Sequence, residues 1–310
     1  MTAHLAVIGS MRVDLVLRLA RSPGLGETVP ASAFERHSGG RGLSQAAAAA
    51  ALGAQVSLIS CLGDDEYGPW LRQVAEDTGI DGSFIDTAPG PSGIAVVEVV
   101  SEQGQRTAQL PGAIDALTPD RASGAVTGLA KLDMVLGQAE LPLEVTAAAF
   151  TAARARGART LLNAAPCSPE LIASMPDLYP LVDIIVMDNR VAAELTGLAT
   201  EVAVDTDEAA QAIVDRGVLR VVITRGHRGS IWRTPDASGS IPVMPARMID
   251  STGAGSAFCA GLAVGLAEGM PFHEALRLAS AASALSTTVT GSVRNMPTRE
   301  AVEELLDLRG

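Results

Sequence analysis

Lysine is nearly absent: of the 23 lysines and arginines in this 310-residue chain, only Lys131 is a lysine, at the end of a helical "LAKLD" stretch. Its absence elsewhere removes a P-loop, which needs Gly-Lys-Ser/Thr, and a pyridoxal-type site, which needs a Schiff-base amine. Cysteine is scarce as well. Cys61, Cys167 and Cys259 lie far apart in apolar stretches, so no disulfide framework or zinc knuckle is available and a reducing cytoplasm is expected. No run of about 18 apolar residues occurs, and "MTAHLAVIGSMRVDL" meets Arg12 and Asp14 too soon for a secretory leader. The expectation is a soluble, unexported protein with no membrane partner. Positive charge is in deficit: the formal net charge of -12 argues against nucleic acid or an anionic membrane surface as the main partner.

What is present is an alternation of short β-branched runs with Ala/Leu-rich helical stretches, the pattern of βαβ units around a parallel sheet. The strands are expected at 4–9, 56–63, 133–138, 160–164, 183–188 and 220–226. Helices such as "PLEVTAAAFTAARARG" and "DEAAQAIVDRG" lie between them, each closed by a glycine suited to a helix end. Two segments, 13–40 and 92–110, break this rhythm and read as strands without helices. "RVDLVLRLA" alternates apolar and polar residues, and "VVEVVSEQGQRTAQL" has Gly104 at a hairpin tip. Such strands suit a small antiparallel lid over the sheet's carboxyl ends, where α/β folds bind ligands. No repeat or low-complexity linker divides the chain, so residues 1–310 are expected to form one domain with lid strands inserted at about 13–38 and 92–110.

Two clusters of small residues could carry chemistry. In "DSTGAGSAFCAGL", Gly253, Ala254 and Gly255 precede an apolar helix, where unpaired N–H groups and the dipole converge on a point that suits an anion. Asp250 adds a carboxylate for a metal or a hydroxyl. A plain helix cap on Ser256 explains the same pattern. In "HSGGRGLSQAAAAAALGA", Gly39, Gly40 and Gly42 permit close approach to a ligand, and Arg41 and Ser44 offer donors.

With "GSMRVD", "CLGDDEYG", "GQAELPLE", "LLNAAPCSPE", "ELTG" and "ITRGHRGS" in order around them, these clusters resemble the PfkB family of carbohydrate kinases, and its ribokinase branch, over nearly the whole chain. The resemblance implies a three-layer α/β sandwich with a mainly parallel central sheet and a β-lid. It also implies ATP-dependent phosphorylation of a sugar hydroxyl, with ATP, Mg2+ and K+ as cofactors and a homodimer through the lid. By the same resemblance Asp14, Gly39, Gly40, Arg41, Ser44 and Glu140 would hold the sugar; Asn189, Thr224, Gly226 and Gly229 the nucleotide; Gly253, Ala254 and Gly255 the transferred phosphoryl group; and Asp250 and Thr252 a monovalent cation.

The chain departs from that family at informative places. The family pattern ends in Gly-Ala-Gly-Asp, the Asp being the general base; here that position is Ser256. The family's Asn-x-x-Glu, which organises magnesium, falls on Asn189 and Ala192, with Glu194 nearby. Its sugar-contacting asparagines are replaced by Arg12 and Ser44, and the "GAN" before the first long helix by "GAI" ending at Ile114. A serine hydrolase built on Ser256 lacks the Gly-x-Ser-x-Gly elbow. Two readings follow: a kinase slowed by Ser256 and Ala192, and, as the alternative, an impaired sugar- and nucleotide-binding pseudokinase with a regulatory role.

Overall fold

The computed structural model describes residues 2–100, 104–165 and 169–308. Its strands are β1 (His4–Ile8), β2 (Arg12–Leu19), β3 (Ala31–Gly39), β4 (Gln55–Gly63), β5 (Ile85–Ala88), β6 (Gly93–Val100), β7 (Gly104–Leu110), β8 (Met134–Gln138), β9 (Arg159–Asn163), β10 (Ile184–Asp188), β11 (Arg220–Thr224), β12 (Ser230–Arg233) and β13 (Ser238–Ile241). The helices are α1 (Arg41–Ala51), α2 (Tyr67–Asp77), α3 (Pro119–Gly128), α4 (Leu143–Ala155), α5 (Pro169–Leu178), α6 (Asn189–Thr196), α7 (Ala203–Val214), α8 (Ala254–Ala267), α9 (Phe272–Ser286) and α10 (Arg299–Asp307).

The central sheet has the order β13-β12-β11-β10-β9-β8-β1-β4-β5. It is parallel from β11 to β5, and only the β12 and β13 edge turns antiparallel. Strand alternation sorts side chains to two buried faces. Leu5 and Val7 of β1 join a core with α1, α8 and α9, while Ala6 and Ile8 join a second core with α3, α4, α6 and α7. Two apolar cores on one sheet make three layers, the mainly parallel α/β architecture expected from the alternating pattern.

All six sequence-predicted strands are present, with ends within a residue or two. The helix-closing glycines are there too: Gly157 and Gly217 have positive φ just beyond α4 and α7. Three short strands had no signal in the sequence. β5 and the β12–β13 hairpin sit at the sheet's two edges, where four residues such as "SIWR" or "SGSI" need no long apolar run.

The segments that broke the rhythm form a second sheet of order β3-β2-β6-β7, antiparallel except for the β2–β6 pair. Residues 101–103, the hairpin turn expected next to Gly104, lie outside the described residues, as does Cys167. Gly104 itself is the first residue of β7, at φ 87°. Among the described residues no helix is long and apolar enough to cross a membrane.

Candidate active site

A cleft of about 830 Å³ opens where the carboxyl ends of β9, β10 and β11 meet the second sheet. Asn163, Asp188 and Thr224 reach it from those strands, and Arg12, Asp14, Gln105, Thr107 and Gln109 from the second sheet. A hollow of about 1060 Å³ at the opposite, amino-terminal ends of the strands, near Lys131, holds none of the sequence-predicted residues. The larger hollow is not the site: parallel sheets present their loop donors at the carboxyl edge.

The early glycine cluster is shaped by the protein's own backbone. Gly40 has φ 97°, and a Cβ there would stand 2.5 Å from the Ser10 carbonyl oxygen. One at Gly42 would stand 2.5 Å from the Gly9 carbonyl carbon. The close approach expected toward a ligand is therefore partly an approach of α1 to the end of β1, sealed by the Leu43 amide donating to the Ser10 carbonyl at 3.1 Å. Gly39 lines no cleft surface; its bare Cα leaves room for the Asp14 carboxylate, whose Oδ2 would be 2.2 Å from a Cβ there. Gly40, Arg41 and Ser44 do face the cleft.

Two ion pairs set the electrostatics of this end. The Arg12 Nε donates to Asp14 Oδ1 at 2.8 Å, and its Nη1 reaches Gln109 Oε1 on β7 at 3.2 Å. Glu140 lies behind the cleft wall, not on it. Its Oε2 accepts from Arg41 Nη1 at 2.5 Å and its Oε1 accepts from Ser10 Oγ, so it fixes the arginine that does face the cleft.

The late cluster differs from a serine cap. Gly253, in the left-handed region at φ 86°, precedes the first residue of α8 and offers no capping side chain; Ser256 is inside the first turn. Ala254 donates to the Ser251 carbonyl, while the amides of Gly255 and Ser256 have no partner among the described residues. Those two free N–H groups at a helix start, on the cleft surface, suit an anion. Ala254 itself points elsewhere and lines none of the cleft. Ser256 faces the cleft although its side chain is largely buried, and Cys259 lies one turn further on, its thiol pushed up to about 12 by burial.

Ser292 joins the two clusters and carried no sequence signal. Its hydroxyl and that of Ser44 are 3.0 Å apart, and a Cβ on Gly253 would meet Ser292 Cβ at 2.7 Å. Beside it, Asp250 lines an adjoining cavity of about 330 Å³ that shares Asp14, Arg12 and Thr252 with the main cleft. Burial pushes the Asp250 carboxyl up, but the Thr252 amide and hydroxyl and the Gly291 amide together outweigh it and hold the group below the usual carboxylate range. Its Oδ1 accepts from the Thr252 amide at 2.9 Å and its Oδ2 from the Gly291 amide at 3.2 Å.

At the other end, Asn189, Thr224 and Gly226 line the cleft. Gly229 does not: it packs under β13, where a Cβ would stand 2.2 Å from the Ile241 carbonyl oxygen. Ala192 is fully buried in the second core, so that position never faces the cleft, and Glu194 points to solvent in a 2.9 Å pair with Arg190. The cleft-facing acid here is Asp188, missed in the sequence because it reads as the end of a strand. Its Oδ1 accepts from the Val191 amide at 2.8 Å and caps α6.

Comparison with known proteins gives the family and the fold. The profile of the pfkB family carbohydrate kinases matches residues 2–299. A bifunctional ribokinase/ribose-5-phosphate isomerase A from Fructilactobacillus sanfranciscensis is 35% identical over 97% of this chain, which spans 56% of that longer protein. The ribokinase of Haemophilus influenzae is 32% identical over 99% of both chains. The structure of Arabidopsis thaliana ribokinase complexed with ribose and ATP superposes with a TM-score of 0.88, at 28% identity over 99% of each chain. The chain belongs to the pfkB family of carbohydrate kinases.

Proposed function

We propose that this protein transfers the terminal phosphoryl group of ATP to a sugar hydroxyl, working as one ribokinase-like domain over residues 1–310 in the cytoplasm. The observation that carries the reading is convergence. Gly40 with Arg41 and Ser44 of the first turn of α1, the nucleotide-side residues Asn189, Thr224 and Gly226, and the two amides at the start of α8 that have no partner among the described residues share one cleft.

Phosphoryl transfer asks a protein mainly for positioning and for donors aimed at developing negative charge. Asp14, through an Oδ2 that has no partner among the described residues, orients the acceptor hydroxyls, with Arg41 held ready by Glu140. Asn189, Thr224 and Gly226 hold the nucleotide at the opposite end. Between them the amides of Gly255 and Ser256, with the positive end of α8 behind them, take up charge on the transferred oxygens.

Proton removal is where this chain is weak. The Ser256 hydroxyl is neutral near pH 7 and cannot accept the proton of the attacking hydroxyl as a carboxylate would. General-base help is typically about 100- to 10,000-fold, roughly 3 to 5 kcal/mol of barrier. The kinase is therefore slow, driven by positioning and charge stabilisation.

Among the described residues no cluster of three or more His, Cys, Asp or Glu exists. Magnesium does not need one, since it is commonly held by one or two carboxylates together with substrate phosphates. Asp188, whose Oδ2 has no hydrogen-bond partner among the described residues, fits that role with Asn189 beside it. Bound magnesium would neutralise phosphate charge. Asp250 and Thr252 supply oxygen donors of the kind potassium prefers, and the ionised Asp250 carboxylate already braces that turn.

A test is acceptor-dependent ADP formation from ATP across pentoses, hexoses, their acids and nucleosides. Turnover on at least one acceptor supports the kinase. ATP and sugar binding without transfer to any acceptor would favour a regulatory binder instead.

A further inference from the structure

The charged groups at the sugar end of the cleft are unevenly engaged. A neutral polyol presents hydroxyls that both donate and accept, so a site that holds it needs acceptors as well as donors. Here the carboxylates are largely engaged with arginines, and the neutral groups that can both donate and accept are Gln105 and Thr107. Both oxygens of Glu140 are taken, by Ser10 and Arg41; Asp14 Oδ1 is taken by Arg12; and Gln109 Oε1 is taken by the same arginine. Asp14 Oδ2 is the carboxylate oxygen left at this end with no partner among the described residues.

The donors, by contrast, are largely unspent. Arg12 uses Nε and Nη1, and Arg41 uses Nη1 alone, leaving Nη2 of both without a partner among the described residues. Neither is a solvated surface arginine: their side chains are 20% and 29% exposed, and both line the cleft. Arg12 holds its place because Gly93 is its partner on β6 and has no side chain, so the guanidinium crosses that strand to reach Gln109 on β7.

A guanidinium fork matches an acceptor-only, planar or tetrahedral anion, which brings oxygens and no competing hydrogens. We propose that the acceptor of this kinase is an anionic sugar, whose carboxylate or phosphate is held by Arg12 and Arg41 while Asp14 Oδ2 takes one of its hydroxyls. The inference rests on the kinase reading for the word acceptor, but the binding claim stands apart from turnover.

The test is calorimetric titration of the wild-type protein, without nucleotide, with ribose, ribonate and ribose 5-phosphate, repeated on Arg12→Asn and Arg12→Lys. One of the two anions should bind at least about tenfold tighter than ribose, a difference of about 1.4 kcal/mol. Ribonate in the lead identifies a sugar acid, and ribose 5-phosphate in the lead a sugar phosphate. Arg12→Asn should abolish the preference, and Arg12→Lys should restore part of it, because charge returns without the fork. Ribose binding to wild type as tightly as both anions overturns the proposal, as does failure of all three to bind. An anion that binds but is not phosphorylated leaves this inference standing and removes the kinase reading. Ribose that binds best and is phosphorylated does the reverse.

Discussion

At the scale of single residues, two side chains hold the glycine turns in register. The Ser44–Ser292 hydroxyl pair is buried at 3.0 Å and joins the first turn of α1 to the loop between α9 and α10, where Ser292 packs against Gly253 of the turn before α8. Ser292→Ala is expected to cost about 1 kcal/mol, since it leaves Ser44 unpaired; a lowered urea midpoint with unchanged slope would show it. Asp250 has a folded-state pKa below its unfolded value, held there by the Thr252 and Gly291 donors against burial. Such a group adds stability that is fully present above the unfolded carboxylate pKa and is lost as pH falls through the folded one. The acid limb of a denaturation-versus-pH profile should therefore flatten in Asp250→Asn, whose amide cannot titrate; an unchanged acid limb would contradict this.

At the scale of elements, α8 and α9 pack through small residues. A Cβ on Gly261 would stand 2.9 Å from the Ala279 Cα, and one on Gly265 3.1 Å from the Ala275 Cα. Gly261→Val is expected to destabilise by about 1 to 3 kcal/mol through overpacking, read as a lower melting temperature. The loss should also displace the start of α8 and weaken ATP binding. The sequence showed α8 clearly, because polar turn and apolar helix adjoin, and it showed the parallel strands because they are continuous β-branched runs. It could not show Ser292, Asp188 or Gln109. Those residues become part of the site only when loops and a second sheet fold onto it, and single polar residues in loops carry no period. Gly229, expected at the nucleotide, instead gives backbone clearance to β13 and lies off the cleft lining, while Ala192, read from the sequence as a departure from the family pattern, fills the core.

At the scale of the whole molecule, the outer face of the second sheet leaves Phe34, Val96 and Leu110 exposed on β3, β6 and β7. Leu17 lies beside Phe34, and Ala108 beside Val96, in the strand registers. Apolar exposure of this kind marks an interaction surface, and a homodimer through this sheet is expected. Sedimentation should return twice the chain mass, and Phe34→Glu should return the monomer; wild type running as a monomer at micromolar concentration would refute it.

On the proposed function, what the cleft lacks is a proton acceptor at position 256. The most direct measurement is ATP-Mg-dependent phosphorylation across the acceptor panel, wild type beside Ser256→Asp. A carboxylate in the first turn of α8 restores the acceptor and is favoured there by the helix dipole by roughly 0.3 to 1 kcal/mol. Its repulsion of the terminal phosphate should be largely offset by bound magnesium. Slow wild-type turnover and at least about a tenfold rise in Ser256→Asp are expected, with ATP affinity nearly unchanged. A variant that binds ATP and acceptor yet is no faster than wild type on any of them would contradict this reading.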